Sequence, residues 1–136
     1  RACIDACPTG AITYVEASWT GLDKMAYDMG AELASTGVTA VSLWLGLIRT
    51  PLLLGSGLTE FAGFPVSRAE DPAFVGRVVA ALADDPGLPA LNGHTIITAE
   101  YGAAHGITND DGQTVPDSHR AAFGGGPLFP PPTETV

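Results

Sequence analysis

The sequence predicts an α/β fold in which one helix precedes a parallel βαβ unit. Three segments carry this prediction: apolar residues at helical spacing over residues 20–35, and short β-branched, apolar runs at 38–45 and 94–98. A second helical segment, beginning at Asp71, separates the two runs, as a crossover between parallel strands requires. The chain has 136 residues, which is room for a single core.

The first helix is predicted from its apolar residues, which recur at the i, i+3, i+4, i+7 and i+11 positions of one face. These residues are Leu22, Met25, Ala26, Met29 and Leu33. Charged residues lie largely off that face, and Gly37 stands where a left-handed C-terminal cap belongs.

The run from Val38 to Leu45 is short, apolar and uncharged, which is typical of a buried parallel strand. Gly46 ends it. The stretch 47–70 is punctuated by Gly, Pro and Ser, and it predicts a long loop with a little helix. Loops of this length in a compact domain are usually functional.

Asp71 as N-cap and Pro72 in the first turn predict the start of the second helix. Its predicted buried face consists of Phe74, Val75, Val78, Val79 and Leu82.

The chain after this helix predicts a strand at 94–98, one helical turn at 100–105 and a tight turn at 110–112. Residues 121–136 are rich in Gly and Pro and bury too little to fold, so we expect a disordered tail.

The composition is globular and acidic, with 46% hydrophobic residues and a formal charge of −9. This charge repels phosphate groups, so we expect neither nucleic acid nor an anionic membrane as a partner. No apolar run reaches the roughly 20 residues of a membrane-spanning helix. Two cysteines do not form a disulfide framework, and a reducing cytoplasm is the expected location.

Residues 22–26, 37–50, 71–86 and 91–113 resemble, in order and at family spacing, the C-terminal half of short-chain dehydrogenase/reductases (SDRs). Positions 41–50 read Val-Ser-Leu-Trp-Leu-Gly-Leu-Ile-Arg-Thr, which is closest to the branch whose sixth strand reads Ser-Leu-Trp-Pro-Gly. Leu45 replaces the proline of that branch, so the backbone that leads into the following loop is less restricted in conformation.

The resemblance covers about residues 20–113 and implies a partial Rossmann-like fold without the first half of the sheet. We therefore expect residues 18–120 to be the C-terminal half of an SDR domain. The chain begins at Arg1 without an initiator Met, which favours a fragment, a processed product or an incomplete gene model.

The resemblance implies that NAD or NADP is the cofactor, and that Gly46, Ile48 and Thr50 contact its nicotinamide. Ligands of open α/β sheets bind beyond the carboxyl ends of the strands, where this loop is predicted to lie. The alternative is that Gly46 only turns the chain and that Thr50 only caps the following segment.

The family transfers hydride to or from small carbonyl or alcohol substrates with a catalytic Tyr and a Lys four residues later. Ungapped counting puts Val15 and Trp19 at these positions. A shift of one residue brings in Tyr14 as the catalytic candidate but supplies no Lys. We expect the chain to be inactive alone.

Residues 1–17 form a separate segment of uncertain origin, in which Cys3, Cys7 and the following Pro-Thr-Gly-Ala-Ile resemble the end of a bacterial ferredoxin 4Fe–4S motif. Four thiolates are needed and the chain has two, so no metal site is predicted. An iron–sulfur remnant remains an alternative interpretation.

A second alternative is a non-catalytic fragment that self-associates or binds a partner. A sheet without its neighbouring strands leaves an unpaired edge, which favours a homo-oligomer or aggregation. In the resembling family the first helix commonly packs against its mate in a dimer, so the resemblance implies Met25, Met29 and Leu33 as candidate contacts, with core packing as their simpler role. Three scattered histidines, His94, His105 and His119, are interpreted as surface or strand-end residues, and Glu100 shows no partner in the sequence.

Overall fold

The computed structural model describes residues 19–123, and its elements follow the predicted order. The helices are α1 (Trp19–Leu33), α2 (Pro51–Gly55), α3 (Pro72–Asp84), α4 (Thr98–Ala104) and α5 (Arg120–Phe123). The strands are β1 (Ser42–Trp44), β2 (Glu60–Phe61), β3 (Phe64–Pro65) and β4 (Thr95–Ile97). Short 3-10 turns occupy Ala34–Thr36, Val66–Arg68 and Leu88–Leu91.

Strands β1 and β4 pair in parallel, with Leu43 opposite Ile96 and Trp44 opposite Ile97. Helix α3 lies between them in the chain, so the predicted helix followed by a parallel βαβ unit is confirmed. The α/β architecture is compatible with a partial Rossmann-like fold.

The main core forms where α3 covers this sheet. Phe74, Val78 and Leu82 are buried and pack with Ile96 and Tyr101. The predicted face of α3 is confirmed for these three residues. It is wrong for Val79, which is 47% exposed, because a single row of α3 side chains is fully covered.

The predicted apolar face of α1 is only partly the face that packs inward, because of its five residues Ala26 is buried and Leu33 is half-buried. Leu22, Met25 and Met29 are 48%, 54% and 43% exposed, whereas Asp23 and Ala26 are buried. The physical reason is the close approach of α1 to the rest of the chain. A Cβ atom on Gly30 would lie 2.8 Å from the backbone nitrogen of Gly93, so small residues are needed on this side.

The predicted cap of the first helix is confirmed, because Gly37 has a left-handed φ of 78° directly after the 3-10 turn.

The long segment between β1 and α3 contains the predicted short helix, α2, and in addition a hairpin of β2 and β3. Ala62 and Gly63 form the hairpin turn with φ values of 51° and 84°. The predicted helical turn after β4 is confirmed and extended, since α4 has 7 residues. The predicted turn at 110–112 is closed by a hydrogen bond from Gly112 N–H to the Asn109 carbonyl.

Within residues 19–123, no helix has the length and apolar character needed to cross a membrane. Residues 121–123 of the predicted tail belong to α5, and the rest of that tail lies outside the described residues. The predicted segment 1–17 lies outside them as well.

Candidate functional site

The loop at residues 46–50 leaves the carboxyl end of β1, and its first residue is held by a buried side chain. Gly46 N–H donates a 3.0 Å hydrogen bond to Oε1 of Glu70. A Cβ atom on Gly46 would lie 3.1 Å from the same oxygen. Glycine is therefore favoured here because of a close approach, and its backbone conformation is not left-handed.

Ile48 forms an isolated parallel bridge with Glu70. The Glu70 N–H donates to the Leu47 carbonyl and the Arg49 N–H donates to the Glu70 carbonyl, both at 2.8 Å. In parallel pairing, these bonds from the flanking residues leave the Ile48 N–H on the opposite side of the loop. It has no acceptor among residues 19–123.

Thr50 caps helix α2, because its Oγ1 accepts a 3.3 Å hydrogen bond from Leu53 N–H. The capping role considered in the sequence analysis is therefore present. The hydroxyl proton of this exposed residue can still be donated outward.

Arg49 fixes the loop to the start of α3. Its Nε and Nη2 atoms lie 2.7 Å and 2.6 Å from Asp71 Oδ1. Asp71 occupies the predicted N-cap position of α3, but its side chain does not bond to that helix. Its Oδ2 instead accepts from Asp110 N–H at 2.9 Å, while its own N–H donates to Asn109 Oδ1 at 2.9 Å.

Behind the loop lies a buried polar pair that the sequence analysis missed. Glu70 is 1% exposed and Thr98 is completely buried, and Thr98 Oγ1 lies 2.6 Å from Glu70 Oε1. The second carboxyl oxygen, Oε2, is buried with no hydrogen-bond partner in the described part of the chain. Burial raises the pKa of the Glu70 carboxyl despite the opposing hydrogen bonds from Thr98 and Gly46. No sequence pattern marks a single glutamate before a helix cap as buried.

His119 packs over the end of β1, so its predicted surface position is wrong. It is 6% exposed, and its ring stacks on Trp44 with centroids 6.0 Å apart. Burial lowers the pKa of the imidazole, against an opposing effect of Glu100. The position of His119 depends on the whole segment after α4, which local spacing does not reveal.

Glu100 does have partners, contrary to its sequence interpretation. Arg120 binds both of its carboxyl oxygens, at 2.7 Å and 2.6 Å, and Ser118 donates to one of them at 2.7 Å. The hydrogen bonds from Arg120 are the main reason why the pKa of Glu100 falls to about 2.

The remaining candidates lie outside the described residues: Tyr14, Val15, Cys3 and Cys7. In the part of the chain that is described, no three His, Cys, Asp or Glu side chains are grouped as metal ligands.

The sequence is 35% identical to human dehydrogenase/reductase SDR family member 1 over 104 residues, which are 70% of this chain and 33% of that protein. The mouse protein of the same name is 33% identical over the same share of each chain. The chain is related to the short-chain dehydrogenase/reductases. It spans about one third of the length of the curated relatives it matches. No protein-family model matches it.

In this SDR-related chain, the loop at residues 46–50 follows a parallel strand, which is where open α/β sheets bind ligands. On its outer side the loop has the Ile48 N–H and the exposed Thr50 hydroxyl, and at Gly46 it has no side chain. The branch with the Ser-Leu-Trp-Pro-Gly strand and the ferredoxin-like opening stay predictions.

Proposed function

We propose that the chain is part of an NAD(P)-dependent SDR that acts on alcohol or carbonyl groups, and that the loop at 46–50 holds the nicotinamide. The observation that carries the proposal is the outward Ile48 N–H beside a glycine at the end of β1. The opposite side of the loop is occupied by Glu70.

The residues of the loop fit a nicotinamide carboxamide. The Ile48 N–H is a donor for the amide oxygen, and the Thr50 hydroxyl can donate or accept. Gly46 presents no side chain that would separate a flat ring from the backbone. When bound, the nicotinamide supplies or accepts the hydride, while these residues orient its ring and exclude water.

The chain alone is proposed to lack turnover. Val15 and Trp19 stand where the family has its Tyr and Lys, and Tyr14 is the only catalytic candidate nearby. Free Tyr has a pKa of about 10 and needs a neighbouring cation to act as a base near neutrality. The proposed location, the cytoplasm, rests on cysteine content alone.

Calorimetric titration of the chain with NADH, NADPH and nicotinamide mononucleotide tests the cofactor site. We expect Thr50→Val to weaken binding by roughly tenfold, the ratio for one net hydrogen bond, and Thr50→Ser to restore it. Thr36→Val is the matched control, because Thr36 is also exposed but hydrogen-bonds only near its own turn, to the Leu33 carbonyl. Equal binding by all variants, or no binding by the unmodified chain, contradicts the proposed site.

Turnover is tested separately with NAD(P)H and a panel of carbonyl compounds. Oxidation of the cofactor that Tyr14→Phe abolishes would contradict the proposed inactivity and assign Tyr14 a catalytic role. No oxidation agrees with a substrate-side half that lacks the cofactor-binding half and an intact Tyr–Lys pair.

A second proposed role is self-association through α1, which the exposed row of Leu22, Met25 and Met29 favours. Leu33, the other apolar candidate, is half-buried and contributes less. Sedimentation velocity of the chain should show a dimer or larger species that Met25→Glu dissociates, while Glu32→Gln on the same helix leaves it unchanged. A well-folded monomer at all concentrations contradicts this role.

A further inference from the structure

Glu70 contacts the loop at residues 46–50 through both its side chain and its backbone. The carboxyl oxygen Oε1 accepts from Gly46 N–H at 3.0 Å. The backbone of the same residue bonds to Leu47 and Arg49, both at 2.8 Å. One residue therefore holds three positions of a five-residue loop.

A carboxyl group is energetically unfavourable at this buried position. Glu70 is 1% exposed, and Oε2 has no partner among residues 19–123. Burying a polar atom without a hydrogen bond costs stability, so an apolar residue would be favoured if packing alone mattered. What an apolar residue cannot provide is an acceptor for the Gly46 N–H.

We propose that Glu70 is a positioning residue that clamps this loop from its inner side and so directs the Ile48 N–H toward the bound cofactor. The proposal deepens the proposed function and rests on it for the identity of the ligand. Leu45 stands where the resembling branch has a proline, so the loop needs a different means of fixing its direction.

The acceptor is held in turn by Thr98 at the start of α4. Thr98 Oγ1 lies 2.6 Å from Glu70 Oε1 and 3.1 Å from the Trp44 carbonyl oxygen, but it has a single proton to donate. When Glu70 is ionised, the Thr98 hydroxyl donates its one hydrogen bond to Oε1 of Glu70. A protonated Glu70 can donate to Oγ1 instead, which frees the hydroxyl for the Trp44 carbonyl. In both states Oε1 keeps a lone pair for the Gly46 N–H.

Other titratable groups surround the carboxyl. His119 faces Gly46 from the C-terminal segment, with Nδ1 3.8 Å from the position of a Cβ on that glycine. Arg68 and Asp117 line the same small cleft as Glu70 and pair with each other at 2.7 Å. A pH-dependent change in the loop can therefore be assigned to the Glu70 carboxyl only by comparison with a Glu70 variant.

Amide hydrogen exchange of the 15N-labelled full chain tests the clamp. In Glu70→Ala we expect Gly46 to exchange about tenfold faster or more, as for one lost net hydrogen bond. Arg49, which bonds to the backbone carbonyl of residue 70, and helix α3 should be unchanged. Glu70→Gln should restore protection because its amide oxygen also accepts, and Glu32→Gln is the neutral control. Unchanged exchange at Gly46 in Glu70→Ala overturns the proposal.

A pH titration of the amide shifts supplies a second readout and remains informative if Glu70→Ala does not fold. We expect Gly46 and Thr98 to share one midpoint that is absent in Glu70→Gln. The same midpoint in Glu70→Gln would overturn the assignment to Glu70.

Nicotinamide mononucleotide separates the clamp from the proposed function. Loop shifts on addition of this ligand to the unmodified chain, weakened in Glu70→Ala and kept in Glu70→Gln, support both. Equal binding to Glu70→Ala overturns the clamp and leaves the cofactor site standing. Absence of binding overturns the cofactor site, while the exchange experiment still decides whether Glu70 holds the loop.

Discussion

The indole nitrogen of Trp44 donates a 2.8 Å hydrogen bond to Oδ1 of Asp23. Asp23 is 2% exposed and Trp44 is 7% exposed, so water does not compete for this bond. The bond joins Asp23, the fifth residue of α1, to the last residue of β1, two positions before Gly46. It therefore helps to fix the point at which the loop at 46–50 starts.

Replacement of Asp23 separates the hydrogen bond from the charge. Asp23→Ala leaves a buried indole N–H without its acceptor and should lower the free energy of unfolding by about 1–3 kcal/mol. Asp23→Asn keeps an oxygen that can accept from Trp44. It also removes the energetic cost of burying a carboxylate whose Oδ2 has no partner within the described residues. We expect it to be neutral or stabilising in urea unfolding. A loss as large as that of Asp23→Ala would show that the charge itself is needed.

Gly102 and Gly76 should respond in opposite directions to alanine. A Cβ on Gly102 would lie 2.5 Å from Cζ of the fully buried Phe74, so Gly102→Ala should cost roughly 1–3 kcal/mol or more. Gly76 lies on the exposed side of α3 with no atom within 4 Å of such a Cβ. Gly76→Ala should raise stability by roughly 0.5–1 kcal/mol. Thermal unfolding of the two variants checks both signs.

Asn109 forms hydrogen bonds to the backbone at the start of α3, although it follows Asp71 by 38 positions. It is 2% exposed, its Oδ1 accepts from Asp71 N–H, and its Nδ2 donates to the Ala69 carbonyl, both at 2.9 Å. Asn109→Ala leaves both backbone groups unpaired and should cost about 2–4 kcal/mol in urea unfolding. Asn109→Asp retains the acceptor alone, and an intermediate loss is expected. Equal stability of the three proteins would be inconsistent with these contacts.

Stability should fall in acid partly through Glu100. Its pKa is lowered from 4.5 to about 2, so its contribution is present above pH 4.5 and disappears as the pH falls toward 2. Its side chain is 36% exposed and that of Arg120 is 48% exposed, so solvent screening limits the effect to at most about 1 kcal/mol. Glu100→Gln should flatten the stability profile in this window.

The exposed Glu32→Gln is the control for that profile. Asp111, whose pKa is also about 2 because of hydrogen bonds from Thr114 and Gln113, should leave a residual slope in Glu100→Gln. A profile identical to that of the unmodified chain would exclude a role for the Glu100–Arg120 pair.

Local patterns predicted the elements and part of the core. Asp71 and Pro72 marked the start of α3, and the spacing of Phe74, Val78 and Leu82 identified its buried side. For α1 the same reasoning is right for Ala26 and wrong for Leu22, Met25 and Met29, which are exposed. Periodicity finds an apolar row, but whether another element covers that row depends on tertiary approach, here through Gly30.

The support of the candidate site was not predictable in the same way. Gly46, Ile48 and Thr50 were chosen by resemblance, and their role as ligands of a cofactor stays a proposal. Glu70, Asn109 and His119 carry no local signal, because their contacts come from partners far away in the sequence. The interpretation of Glu100 as a residue without a partner is wrong for the same reason, since Arg120 follows it by 20 positions.

The contacts of Asn109 and Asp117 set an order of events during synthesis. Asn109 reaches Asp71 across 38 positions, and Asp117 reaches Arg68 across 49. A chain emerging from the ribosome lacks both contacts until residues 109 and 117 have left the exit tunnel, and closing such long stretches costs entropy before any contact forms. The loop after β1 is therefore synthesised before the residues that hold Arg68 and Asp71 in place.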